Sequence, residues 1–126
     1  MAILYRATIT GIGPEAPDLV SGGVLILFAE GAPPELAEIS VLCRQTAAPS
    51  ERPPPAGAEL RVGSAATRIT AIGDRAWAKV AELGHVVIHF DGATATARAG
   101  EMSAAPIAVE PLLTQLAVGS EIVISA

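Results

Sequence analysis

The sequence predicts a mainly β protein: a small closed or nearly closed β-barrel made of two related halves, with one short helix over about 74–83. Three observations carry this. First, the chain nearly repeats itself. Ile9-Thr10-Gly11-Ile12-Gly13 returns as Ile69-Thr70-Ala71-Ile72-Gly73, an offset of 60 from Gly13 to Gly73. Each copy is followed by a turn-like or helical stretch and then by an apolar run ending in Phe and a Gly turn, Val24–Gly31 and Val86–Gly92; the phenylalanines Phe28 and Phe90 are 62 apart. Second, 51% of residues are apolar but only 3% are aromatic, so the core must be built from Val, Ile, Leu and Ala, which fill a small closed sheet well. Third, 12 Gly and 10 Pro in 126 residues call for many turns and few long helices.

The elements follow in order. Ile3–Ile12 alternates, with Ile3, Tyr5, Ala7 and Ile9 on one face and Arg6, Thr8 and Thr10 on the other, as in a half-buried strand. Gly13-Pro14 ends it, and Pro14–Val20 is a turn or one helical turn, with Pro17 tolerable only near its start. Gly22-Gly23 leads into the strand Val24–Ala29, which Gly31-Ala32-Pro33-Pro34 breaks. Ala37–Gln45 reads as a strand with Ile39, Val41 and Cys43 on one side and Ser40, Leu42 and Arg44 on the other. The loop Thr46–Gly57 contains Pro53-Pro54-Pro55, an extended and stiff surface excursion with no donors for a sheet.

The second half opens with strands at Glu59–Val62 and Ala66–Ile72. Asp74 is placed to cap a helix running to about Leu83, with Trp77, Val80 and Ala81 as its apolar stripe and Gly84 as its left-handed stop. Strands His85–Phe90, about Ala93–Ala99, about Ala104–Val109 and Ser120–Ser125 follow, with a helical turn at Leu112–Leu116. The total is eight or nine strands and one clear helix. Neither half alone can bury both faces of its sheet, so the two are expected to pair into one domain over 1–126, as a repeat of about 3–62 and 63–125.

Charge and composition narrow the function. A net charge of −5 without a Lys/Arg cluster to neutralise phosphates argues against nucleic-acid binding. No apolar run approaches the roughly 20 residues of a membrane span. Met1–Arg6 lacks the organisation of a signal peptide, and one cysteine permits no intrachain disulfide; both point to the cytoplasm. The Val/Ile-rich strands and barrel edges leave room for a homodimer.

Candidate chemistry is sparse. His85 and His89 share a strand face, but Cβ atoms about 13 Å apart are too far to hold one ion, so no metal site is expected. Cys43 sits on the face expected to be buried, where a small core residue is the plain reading; Arg44 is adjacent, yet neighbours on a strand point to opposite sides and it need not reach the sulfur. Gly11-Ile12-Gly13 lacks the third glycine and long helix of a dinucleotide fingerprint. Glu35, Glu38 and Glu59 show no paired spacing for acid–base work. No cofactor is implied.

Three separated blocks, in order, change this picture. They are Ile3–Gly13, Phe28-Ala29-Glu30-Gly31-Ala32-Pro33-Pro34-Glu35-Leu36, and Ile72-Gly73-Asp74 followed by Glu82–Gly92. Together they resemble the IIA component of the glucitol/sorbitol-specific phosphotransferase system, over almost the whole chain, ending with Leu116-Ala117-Val118-Gly119-Ser120. The resemblance implies a cytoplasmic phosphocarrier with a β-barrel-like fold. In that family a histidine takes a phosphoryl group from the phosphocarrier protein HPr and passes it to a IIB domain, which works with the IIC sugar permease. It also implies where the site lies. The family's acceptor histidine and a second histidine two residues on correspond to Cys43 and Gln45, so Cys43 is the candidate acceptor, with Arg44, Gln45 and His85 bordering the site. Imidazole is largely neutral at pH 7 and free to attack phosphorus, whereas an ordinary thiol is only a few per cent thiolate there. The alternative is therefore a IIA-like domain that has lost phosphotransfer and binds a partner or ligand as a regulatory module.

Overall fold

The computed structural model describes residues 2–126. Eight strands among them close into a barrel in the order β1-β3-β2-β6-β7-β5-β4-β8. They are β1 Ile3–Ile12, β2 Val24–Ala29, β3 Val41–Gln45, β4 Glu59–Val62, β5 Ala65–Ile72, β6 Val86–His89, β7 Glu101–Ala104 and β8 Glu121–Ser125. Four short helices lie among them: α1 Ala16–Ser21, α2 Pro34–Ala37, α3 Ala76–Leu83 and α4 Val109–Gln115. The barrel interior is filled by aliphatic side chains, including Ile9, Leu25, Leu27, Val41, Leu60, Ile69, Ile88, Met102 and Ile122, all nearly inaccessible. No helix among the described residues is long and apolar enough to cross a membrane.

The strand order is unchanged when β1, β2, β3 and β4 are exchanged with β5, β6, β7 and β8. The registers obey the same exchange. Ile9 pairs with Cys43 and Gly11 with Leu42 across a bulge; Ile69 pairs with Ala104 and Ala71 with Ser103 across another. At the seam Leu25 faces Ile88 and Leu27 faces Val86, so these positions swap at an offset of 61. The match of Phe28 to Phe90 therefore slips by one. Phe28 takes the place of His89, because Phe28 pairs with Leu42 as His89 pairs with Ser103. Phe90 lies just past β6.

Several expected elements differ, for one recurring reason. β2 and β3 run parallel, as do β6 and β7. Parallel neighbours cannot be joined by a hairpin and need a crossover. Residues 30–40 supply the first crossover, so the strand expected from Ala37 begins only at Val41, after α2. Residues 90–100 supply the second, so the alternating stretch 93–99 is not a strand. β7 occupies Glu101–Ala104, and 105–108 is a loop rather than part of a strand to Val109. The single expected helix becomes four, and the turn at Leu112–Leu116 becomes α4. Asp74 does not cap α3. Its N-cap is Arg75, without a side-chain cap bond, because the backbone takes over: Arg75 N–H donates to Ala99 O at 2.8 Å and Ala76 N–H to Gly73 O at 3.1 Å. Gly84 does end α3 in the left-handed region, at φ 64°.

The two repeated glycines sit where each crossover presses on a strand end. Gly13 N–H donates to Ser40 O at 2.9 Å and Gly73 N–H to Glu101 O at 2.8 Å. A Cβ on Gly13 would overlap the carbonyl oxygens of Ala37 and Glu38; on Gly73 it would overlap those of Ala99 and Arg98. Close backbone approach explains why this motif recurs.

Candidate functional site

The end of β3 and the C-terminal turn of α3 face each other across a cleft of about 300 Å³. Ala29, Glu30, Cys43, Arg44 and Gln45 form one wall, and Ala81 through Gly84 the other. Local sequence sets this geometry. Gln45 Nε2 donates to Val80 O at 3.1 Å and ties β3 to α3. A Cβ at Gly84 would press into Ala29, so glycine lets the end of α3 settle onto β2. Cys43, Arg44 and Gln45 thus come together at one cleft. His85 stands one residue beyond its lip.

Within the cleft wall, the side chains diverge. Leu42 and Arg44 face outward. The Arg44 guanidinium lies 4.0 Å from Glu30 Oε1, a solvent-exposed pair worth little on its own. Cys43 faces the barrel interior with 2% of its surface accessible. Its Sγ lies 3.8 Å from Val41 O and accepts from the Tyr5 hydroxyl. Burial pushes the thiol up to about 12, against which the Tyr5 bond pulls only weakly. Burial and the Cys43 sulfur raise the Tyr5 phenol as well. Tyr5 was not legible as a partner of Cys43 in the sequence: both have the inward phase of their strands, but 38 residues separate them.

This environment gives a direct expectation. A thiol near 12 is about one part in ten thousand thiolate at pH 8. Alkylation of the native protein by iodoacetamide should therefore be slower than that of the unfolded chain by roughly three orders of magnitude. The sign for stability follows. The folded thiol holds its proton more tightly than the unfolded one, so its contribution is intact below the ordinary value of 9.0 and is lost as pH climbs from there to about 12. Alkaline denaturation of Cys43→Ala should lose that part of the pH dependence.

The two histidines occupy different surroundings. His85 precedes β6 rather than lying in it. Its Nδ1 is 3.0 Å from Leu27 O, and its ring stacks on Phe28 with centroids 4.7 Å apart and planes tilted by 32°. Burial lowers its pKa, the Leu27 carbonyl opposes that, and the nearby Lys79 ammonium adds to it. His89 lies on the outer face of β6, its Nε2 buried at 3.2 Å from Glu101 Oε1, close enough for an ion pair but outside hydrogen-bond geometry. Asp91, two residues on, is lowered by the Ala93 N–H and by Ser103. No group of three or more His, Cys, Asp or Glu among the described residues is arranged to hold a metal ion.

Comparison with known proteins agrees with this architecture. Residues 4–123 match the family described as PTS system glucitol/sorbitol-specific IIA component. Over 93 residues, 73% of each chain, the sequence is 38% identical to the PTS system glucitol/sorbitol-specific EIIA component of Shigella flexneri. The Escherichia coli (strain K12) protein of the same description gives the same identity and coverage. Among solved structures, a PTS system IIA component from Enterococcus faecalis V583 superimposes with a TM-score of 0.76, covering 96% of this chain and 99% of that one, at 22% identity. At that identity the likeness speaks for the fold alone.

Proposed function

Since the chain belongs to the glucitol/sorbitol-specific IIA component family of the phosphotransferase system, we propose that it serves such a system in the cytoplasm as a IIA-type module. It engages phosphorylated HPr and a IIB domain of the sugar permease, and its phosphoryl relay does not run through Cys43. The observation that carries this reading is the state of the thiol: 2% accessible and held protonated near 12, it offers phosphorus neither access nor a thiolate. Arg44, exposed on the outer side of the same strand, and Gln45, half-buried against the end of α3, line the cleft where a partner would dock.

Incubation with phosphorylated HPr tests this. Wild type and Cys43→Ser should take up the phosphoryl group equally, read as a mass gain. Uptake lost in Cys43→Ser would make the cysteine the acceptor and overturn the reading. A second reading, a partner-binding module without phosphotransfer, is favoured by the absence of imidazole at both 43 and 45. It predicts that HPr still shifts the backbone amide resonances of 43–45 and 81–84 while no mass gain occurs in any variant.

A further inference from the structure

We propose that His85 Nε2 is the nucleophile that receives a phosphoryl group in this chain, with Lys79 drawing the anion toward it. The proposal rests on the phosphotransferase reading above and names the acceptor which that reading leaves open.

Four observations converge on this nitrogen. A backbone carbonyl can only accept, so the 3.0 Å contact from Nδ1 to Leu27 O puts the ring proton on Nδ1 and the lone pair on Nε2. Nε2 has no hydrogen-bond partner among the described residues, and His85 is only partly buried. The ring is held against Phe28 and leaves the chain just after Gly84, whose left-handed turn ends α3 and lines the Cys43 cleft. The Lys79 ammonium lies over Gly100, just before β7, has no ion-pair partner among the described residues and acts electrostatically on the ring, so an uncompensated positive charge is felt here. Burial also keeps the imidazole neutral at pH 7, the form that attacks.

His89 provides the contrast. Its Nε2 is buried beside Glu101, with Asp91 close by, so an incoming phosphoryl group would meet two carboxylates.

The transfer balances without a co-reactant. The Nε2 lone pair forms the new N–P bond as the donor phosphohistidine's N–P bond breaks and returns its electron pair to the donor nitrogen. The proton on Nδ1 stays in place, and the positive charge that develops on the ring is met by the Leu27 carbonyl. A donor imidazolium becomes neutral as the acceptor imidazole becomes charged, so no proton leaves the pair.

Phosphoramidate, a small donor that requires no docking, tests the acceptor separately from the partner. Peptide mapping of the treated wild-type protein should place the phosphoryl group on His85, and the nitrogen shifts of histidine-labelled protein should assign it to Nε2. His85→Gln should lose the label, while His89→Gln and Cys43→Ser keep it. Lys79→Met should slow labelling about threefold to tenfold without moving the site. Label on His89 or Cys43, label on Nδ1, or none at all on the folded wild type would overturn the proposal; since wild type is mapped directly, a misfolded variant does not obscure the result. Labelling of His85 by phosphoramidate but not by phosphorylated HPr would uphold the acceptor and count against the partner.

Discussion

Gly73→Ala is expected to destabilise the protein by about 3 kcal/mol or more, because the added methyl meets backbone rather than a yielding side chain. The carbonyl oxygens of Ala99 and Arg98 stand where the Cβ would go, and the Gly73 N–H is bonded to Glu101 O at the start of β7. Relief would require moving the crossover, which would drag β7 out of register with β5 and β6. Gly13→Ala should behave alike, since the carbonyls of Ala37 and Glu38 occupy the same space in the other half. For a domain of this size the loss should appear as a fall of roughly 10 °C or more in melting temperature. Gly23→Ala is a useful comparison: at φ 89° it carries backbone strain but meets nothing within 4 Å, so it should lose less. Equal losses at positions 23 and 73 would refute the role given to close approach.

Trp77→Ala should lower stability by about 3–5 kcal/mol, the range for removing a large buried aromatic. Trp77 is 5% accessible, meets Tyr5 edge-on with centroids 6.4 Å apart, and donates from Nε1 to Ser50 O at 2.6 Å. It therefore joins three parts of the molecule: α3, the tyrosine above Cys43, and the proline-rich segment. That segment is pinned elsewhere by Ser50 N–H to Leu4 O and Thr46 N–H to Arg6 O. Losing the indole should free residues around 50, so a glutamate-specific protease should cut after Glu51 faster in the variant. Trp77→Phe keeps the ring but not the donor and should cost only about 1 kcal/mol more than the change in ring size. If Trp77→Ala leaves both melting and cleavage unchanged, α3 is not the anchor described here.

The barrel was legible because its interior is written in period two. Tyr5, Ala7 and Ile9, and likewise Val41 and Cys43, alternate with outward residues, and all five are buried. The repeated glycines also pointed to paired halves. Strand direction was not legible. Nothing in Ala93-Thr94-Ala95-Thr96-Ala97 reveals that the next strand must run parallel to the previous one, and that alternation reads like a strand until the topology turns it into a crossover. For the candidate site the sequence marked positions but not their surroundings. Resemblance pointed to Cys43, Arg44 and Gln45, which line one cleft, but the Tyr5 hydroxyl that acts on the thiol is far away in sequence, and His85 owes its tautomer to a backbone carbonyl that no side-chain motif announces.

β8 forms two ladders at once, with β1 on one side and β4 on the other. The first joins residues about 120 positions apart in the chain, the second residues about 60 apart. Until β8 is in place the molecule is therefore an unsealed cylinder, with the flanks of β1 and β4 bare. Closure waits on β8, and folding dominated by such distant pairing is slow. A chaperone that shields exposed strand edges should bind nascent chains stalled before β8 and let go of those stalled after it.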